Sequence, residues 1–323
     1  GLASRDICSK WPLREVAAEL ADAADAILQS ALEISVNKNM DISKKFKLAI
    51  IAMGKAGGQE LNYVSDVDVI FTAEPSPGTD EQAAISAATK VASEVMQYIS
   101  VADDGGEIWE VDAALRPEGK AGALVRTVEQ HVSYYQRWAS TWEFQALLKA
   151  RFSAGDIELG NKYLDQISPF VWQAANKENF VDEIQKMRKK VEENIDNRVG
   201  DRELKLAPGG LRDVEFAVQL LQLVHGRSDV MVRSSNTLQA LDQLATWGYI
   251  GREDAATFSN AYTFLRTLEH RIQLQKLSRT HILPDEESEL RKLGRSLGFM
   301  SESSNDLEKQ WRKYQLEVRR IHE

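Results

Sequence analysis

Apolar residues recur at three- and four-residue spacing from Trp11 to Ser35, at Leu13, Val16, Leu20, Ala24, Ile27, Leu28 and Leu32. That spacing predicts an amphipathic helix. Pro12 stands near its start, where a missing N–H costs nothing. The polar stretch Asn37–Lys45 predicts a loop. The period then changes. Leu48–Met53 is a short continuous apolar run, as in a buried strand, and it breaks at Gly54. Gly57 and Gly58 follow, then a short helical turn over Gln59–Tyr63. After Ser65 a second strand alternates Asp66 and Asp68 with Val67 and Val69 and runs on through Ile70 and Phe71. Glu74–Asp80 (EPSPGTD) has turn chemistry throughout. A helix is predicted from Glu81 to Ile99, with Ile85, Ala88, Val91, Val95 and Met96 on one face. A turn over Asp103–Glu107 leads to a third strand. There Trp109, Val111, Ala113 and Leu115 alternate with Ile108, Glu110, Asp112 and Ala114.

From about Val128 strand patterns fade and helical ones take over. The predicted helices are Val128–Trp138, Thr141–Arg151, Ala154–Gln166, Phe180–Asp196, Arg212–His225, Asn236–Thr246, Arg252–Ser278, Glu286–Leu297 and Ser304–Ile321. Breaks fall at Pro208-Gly209-Gly210, Gly226, Gly248, Gly251 and Thr280–Asp285. Strands confined to the first part and helices alone in the second define an α+β chain. The predicted division is a catalytic domain with an N-terminal helix over 1–152 and a helical bundle over 153–323.

Alternate strand residues share a face, so Asp66 and Asp68 project together while Val67 and Val69 face the core. Two adjacent carboxylates repel each other unless a cation occupies the gap. Their hard oxygens suit Mg²⁺ or Mn²⁺. Glycines such as Gly57 and Gly58 let the backbone approach a ligand and present N–H groups to an anion. Asp112 is either a third carboxylate for such a site or an ordinary edge-strand acid. Arg116 and Lys120, in RPEGKAGAL at Arg116–Leu124, suit phosphate contacts, or simply belong to a solvated loop.

Other features carry less. GKAGG is not a P-loop, which needs Gly-x-x-x-x-Gly-Lys-Ser/Thr. The five histidines, His131, His225, His270, His281 and His322, show no ligand spacing and read as structural. The charged stretches Asp182–Glu193 and Arg312–Arg320 read as solvated helix faces, and Trp138 and Trp142 as core.

Composition narrows the classes. With 323 residues and 43% hydrophobic content the chain can bury a large core. A net charge of −9 disfavours nucleic acid as a partner. The single cysteine, Cys8, excludes an internal disulfide framework. No apolar run reaches membrane-spanning length, and a cytoplasmic location is the expectation. The chain opens at Gly1 and closes on a charged helical pattern, as a piece of a longer protein would.

The order Gly57-Gly58, short turn, Asp66-x-Asp68, then a strand carboxylate at Asp112 resembles the nucleotidyltransferase (polymerase-β-like) superfamily. Longer words are more specific: MGKAGGQELNYVSDVDVIF, VDAALRPEGKAGALVRT, WEFQALLKAR, KLAPGGLRDVEFAVQLLQLVHG and FLRTLEHRIQLQ. Together they resemble the bifunctional glutamine synthetase adenylyltransferase/adenylyl-removing family in its actinobacterial form, over Arg5–Phe299. APGGLRDVEF, Ala207–Phe216, resembles the N-terminal, adenylyl-removing half.

The resemblance implies a nucleotidyltransferase-like mixed sheet with flanking helices, followed by an all-helical bundle. It implies phosphorolysis of adenylyl-tyrosine on adenylylated glutamine synthetase, giving tyrosine and ADP. The opposite activity, adding AMP from ATP, and a silent binding half are the alternatives. It implies that Asp66, Asp68 and Asp112 hold Mg²⁺, while Gly57, Gly58 and Ser65 line nucleotide phosphates. Arg116, Lys120, Lys149 and Arg151 would balance charge. Asp213 and Glu215 are either a second acidic feature or helix-start acids favoured by the dipole. A PII-type regulatory protein is an implied partner of the longer chain. Nucleic acid and membrane are not.

Overall fold

The computed structural model describes residues 1–8, 11–100, 109–176, 179–193, 200–300 and 302–323. The turn read over Asp103–Glu107 and the last residues of the helix read over Phe180–Asp196 lie outside the described residues. The chain forms two compact units, one of residues 17–177 and one of residues 1–16 with 178–323. Both differ from the predicted division at 152/153, which would cut a strand at Arg151–Gly155.

In chain order the helices and strands are α1 (Leu2–Ile7), α2 (Leu13–Lys38), α3 (Met40–Ser43), β1 (Phe46–Ala52), the single turn α4 (Gly54–Gly57), β2 (Asp66–Pro75), α5 (Glu81–Ser100) and β3 (Glu110–Asp112). They continue as β4 (Val125–Arg126), α6 (Val128–Arg137), α7 (Thr141–Leu147), β5 (Arg151–Gly155) and α8 (Ile157–Gln173). The later helices are α9 (Phe180–Glu193), α10 (Leu211–His225), α11 (Thr237–Thr246), α12 (Arg252–Lys276), α13 (Glu287–Ser296) and α14 (Ser303–His322).

The first unit is built on a mixed sheet ordered β3-β2-β1-β5, with β4 also paired to β2. β1 and β2 are antiparallel, with Ile50 opposite Phe71. β3 and β4 run parallel to β2. Along β2 the residues from Val69 to Ala73 are all buried, because α5 and α8 pack on the sheet. Exposure returns at its two ends, at Asp66 and Asp68 on one side and at Glu74 and Pro75 on the other. The sheet is therefore sealed along most of its length and open at the end that carries the acids.

Caps start the flanking helices. Thr127 and Gln130 form a capping box on α6, and Asp156 accepts the Leu159 N–H at 2.9 Å to begin α8. Each such cap contributes about 1 kcal/mol. α2 runs on to Lys38 and α3 follows at once, where the polar composition of Asn37–Lys45 had suggested a loop. The Asn39 amide explains the compact turn, donating to Ser35 O at 2.9 Å and to Glu94 at 2.8 Å.

Two further expectations change. The helix read over Thr141–Arg151 ends at Leu147, and Arg151–Gly155 is strand β5, paired with β1. Its stability comes from that long-range pairing, which local periodicity does not register. Trp138 and Trp142 are 74% and 40% exposed, so they are not core residues. They flank the Ala139–Ser140 break between α6 and α7, where the side chains turn outward.

The second unit packs α9 to α14 around Leu211, Val214, Phe258, Leu265, Leu307 and Trp311. Asp213 is fully buried. It accepts from Arg188 Nε at 2.5 Å and from the Gly209 N–H at 2.6 Å. Glu215 lies 3.3 Å from Arg212 and 3.4 Å from the Tyr262 hydroxyl. Both acids stitch the start of α10 to its neighbours. Burial pushes His131 and His270 down to about 4, with Asp6 acting the other way on His270. His131 Nδ1 lies 2.9 Å from the Thr127 carbonyl, a core contact.

Candidate active site

β1 delivers the chain to Met53, whose N–H donates to the Asp68 carbonyl at 2.8 Å. The end of β1 and the start of β2 are thus tied together where the acids gather. Gly54 then adopts φ +52°, a left-handed conformation that glycine reaches without strain. A Cβ on Gly54 would overlap the Asp68 carboxylate, so only glycine lets the loop backbone lie against that group. The turn closes through Gly57 N–H to Met53 O at 2.8 Å and Gly58 N–H to Gly54 O at 3.1 Å. It ends at Gln59, φ 53°. The helical turn expected over Gln59–Tyr63 sits earlier, at Gly54–Gly57. Glycine conformation rather than apolar spacing sets it.

β2 and β3 pair in parallel with Asp66 opposite Glu110, Val67 opposite Val111 and Asp68 opposite Asp112. Val67 and Val111 are buried, and Asp66, Asp68 and Asp112 are half-buried. Residues in register on neighbouring strands share a face, so Asp68 and Asp112 are neighbours and Asp66 lies on the same face. One oxygen of Asp112 accepts the Ala114 N–H at 2.8 Å, which shapes the turn leaving β3. Among the described residues no three His, Cys, Asp or Glu side chains stand as a ready-made metal cage. What β2 and β3 supply is a set of hard-oxygen donors on one face, chemistry that fits Mg²⁺. Ser65 is half-buried just before β2.

The cations have more specific surroundings. Arg116 donates to the carbonyls of Ala113 at 2.7 Å, Lys120 at 3.0 Å and Gly122 at 3.1 Å. Its fork therefore folds the loop after β3. Burial lowers its pKa, with the nearby Asp112 charge acting the other way. Lys120, on the short turn Gly119–Ala121, is exposed. Lys149 is 8% exposed and ion-paired to Glu60, itself 5% exposed. Arg151 grips Asp25 on α2 with both arms, at 2.7 and 3.1 Å. It also donates to the carbonyls of Ala56 at 3.1 Å and Gly57 at 3.3 Å. Ser153 adds a hydroxyl to Asp25 at 2.5 Å.

Lys149 and Arg151, read from the sequence as charge-balancing groups, are thus engaged in holding the glycine loop from behind. Gly57 completes that support, because a Cβ there would overlap the Lys149 carbonyl oxygen and stand 2.6 Å from that of Ala52. Asp25 and Glu60 had no signal in the sequence, each being one more charge in a polar stretch. Gly54 appeared there only as a strand break.

Arg151→Lys keeps the charge and loses the fork. The expected result is a loss of about 1.5–3 kcal/mol of stability, with a fall in melting temperature of roughly 2–4 °C per kcal/mol. Turnover falls as the loop loosens. Unchanged melting together with unchanged turnover would remove this role.

An antiparallel β1–β2 pair joined by a glycine turn, with aspartates at the open end of β2 and on β3, places the fold in the nucleotidyltransferase-like class. The family model described as glutamate-ammonia ligase adenylyltransferase matches residues 1–166, and the chain belongs to that family. A second model, GlnD PII-uridylyltransferase, matches residues 185–323.

Curated relatives agree. The chain is 56% identical over 322 residues to the bifunctional glutamine synthetase adenylyltransferase/adenylyl-removing enzyme of Streptomyces avermitilis, covering 100% of this chain and 32% of the relative. The Streptomyces coelicolor enzyme of the same name is 55% identical, with the same shares covered. The enzyme of that name from Mycobacterium tuberculosis strain H37Rv is 53% identical, covering 96% of this chain and 31% of the relative. The chain thus spans about a third of the length of the curated relatives it matches. Among the described residues no helix is long and apolar enough to cross a membrane.

Proposed function

We propose that this chain removes AMP from glutamine synthetase, by phosphorolysis of the adenylylated tyrosine in the control of nitrogen assimilation. The observation that carries nucleotidyl transfer is the parallel register of β2 and β3, which sets Asp68 beside Asp112 with the Gly54 backbone against Asp68. What supports the removing direction is the word APGGLRDVEF at Ala207–Phe216, which resembles the N-terminal half of such enzymes. The reaction is an in-line displacement. An oxygen of inorganic phosphate attacks the α-phosphorus of the phosphodiester and the bond to the tyrosine oxygen breaks. The phosphate's proton ends on the departing phenolate. Hydrogen phosphate and adenylyl-tyrosine thus give ADP and tyrosine, with charge and atoms balanced.

Asp66, Asp68 and Asp112 would hold Mg²⁺ (or Mn²⁺), which when bound neutralises charge on the transferring phosphoryl group. The turn Gly54–Gly57 with Gly58 lays its backbone beside the phosphates, and Ser65 offers a hydroxyl at the entry to β2. Lys120 is the exposed cation of the set, and Arg116 keeps the loop that carries it in shape. Arg151, Asp25, Lys149 and Glu60 fix the glycine turn, so that its N–H groups need no reorganisation as charge develops. The match of residues 185–323 to a PII-uridylyltransferase model supports a PII-type protein as a regulatory partner.

The test is incubation of the chain with adenylylated glutamine synthetase, Mg²⁺ and graded phosphate, following ADP. ADP release proportional to added phosphate is expected, with little transfer of AMP from ATP to unmodified glutamine synthetase. Efficient transfer from ATP without phosphate-dependent release would assign the chain the adding activity. Neither reaction would make it a silent binding half.

A further inference from the structure

Among the described residues four non-glycine positions have a left-handed backbone, and two of them, Gln59 and Glu118, stand in the two loops of the candidate active site. Gln59 ends the glycine turn. Glu118, at φ 63° and ψ 12°, crowns the loop that follows β3. A side chain with a Cβ is disfavoured in this conformation, and such strain persists where the surroundings over-determine it. A glycine would adopt it freely. Glu118 is exposed, so core packing does not explain a side chain here. Its carboxylate does.

The loop is closed upon itself. Gly119 N–H donates to Arg116 O at 2.9 Å and Gly122 N–H to Gly119 O at 3.1 Å. A Cβ on Gly122 would overlap the Pro117 carbonyl oxygen and stand 3.1 Å from Glu118 Cβ. Within the ring, Arg116 Nη2 holds the Lys120 carbonyl, and the same guanidinium feels the charge of Asp112. From outside, the ring is tied down by Glu118. Its carboxylate is ion-paired with Arg126 on β4, and Arg126 stands in register with Thr72 of β2. The Arg126 charge opposes that of Arg116, so Glu118 supplies a counter-charge where two guanidinium groups repel. Burial raises the Tyr134 pKa, with the Glu118 backbone N–H acting the other way and the Glu118 carboxylate adding to the rise. The crest of the loop thus also lies against α6.

We propose that Glu118 is a positioning residue for nucleotidyl transfer: its ion pair with Arg126 fixes the loop that carries Lys120 relative to the Asp112 end of β3. The inference rests on the nucleotidyl-transfer reading of the site, not on the direction of transfer. A half-exposed ion pair contributes little to global stability. Its effect is local, on how often the loop opens, and through the loop on how Lys120 meets an incoming phosphate.

Glu118→Gln keeps the shape and removes the charge. In the whole chain, amide exchange over residues 116–124 should quicken about two- to fivefold, the factor an exposed ion pair supplies. Exchange in β1 and β2 and the melting temperature should stay as in the parent. With adenylylated glutamine synthetase, the phosphate concentration for half-maximal rate should rise about two- to fivefold. If the parent adds AMP from ATP instead, that shift is read on ATP. The Mg²⁺ dependence should not move, because the carboxylates assigned to the metal lie on β2 and β3. In an Arg126→Gln background, Glu118→Gln should change little further, since the partner is already gone. A parent chain that turns over in neither direction overturns the reading of the site. In a chain that turns over, loop exchange indifferent to Glu118→Gln overturns this inference alone. So does full additivity of the two substitutions, or a lowered melting temperature with an unchanged phosphate dependence, the mark of a merely structural pair.

Discussion

Asp68→Asn is expected to reduce phosphorolysis by a factor on the order of 10²–10³, the cost of removing one preorganised electrostatic group from a transition state. Asparagine has the same shape, so the loss is one of charge. Asp68 lies near the open end of β2, half-buried, opposite Asp112 and under the Gly54 backbone. Its backbone carbonyl, which accepts the Met53 N–H, is untouched by the change. The fold should therefore persist, with a melting temperature close to that of the parent chain. In the proposed reaction a carboxylate in this position would balance positive charge beside the transferring phosphoryl group. Turnover and thermal melting must be measured on the same preparation. A folded Asp68→Asn chain that turns over at the parent rate would remove Asp68 from the site.

The parts of the site legible in the sequence are those whose geometry is local. Asp66 and Asp68 share a face because of the two-residue period of a strand, and Val67 and Val69 mark the opposite face without reference to any partner. The first strand and the helices α5, α10 and α12 follow for the same reason, since their apolar positions need burial wherever the chain goes. The register that sets Asp68 opposite Asp112 joins residues 44 apart, and only the pairing of β2 with β3 fixes it. The grip of Arg151 on Asp25 joins residues 126 apart, and that of Lys149 on Glu60 joins residues 89 apart. Neither pair differs in pattern from an ordinary solvated charge. β5 was hidden for a related reason. Arg151 closed one predicted helix and Ala154 opened the next, and what makes Arg151–Gly155 a strand is the edge of β1, which pairs Ile51 with Phe152.

The glycine pair shows the same contrast, because the sequence flags Gly57 as a phosphate contact and the structure gives it a second task. Gly57→Ala is expected to damage both stability and activity. The added methyl would overlap the Lys149 carbonyl oxygen and approach the Ala52 carbonyl, so both obstacles are backbone and neither can rotate away. Ala52 ends β1, whose central residues are fully buried, and Lys149 is anchored by its ion pair with Glu60. Relief must come from moving the glycine turn outward. That movement would stretch the Arg151 bonds to the Ala56 and Gly57 carbonyls. Overpacking of this kind costs about 1–3 kcal/mol, and the displaced turn would no longer hold its N–H groups where the proposed reaction needs them. Misplacement by about 1 Å is enough to lower a rate on the order of 100-fold. The expected result is a lowered melting temperature together with a fall in turnover too large for the unfolded fraction at the assay temperature to explain. Gly78→Ala is the control: Gly78 lies in the turn after β2 with nothing within 4 Å of its Cβ position. It should cost only the strain of its φ of +80° and leave turnover unchanged. If Gly57→Ala melts and turns over like the parent, the turn is not braced against β1 and β5 in the way described.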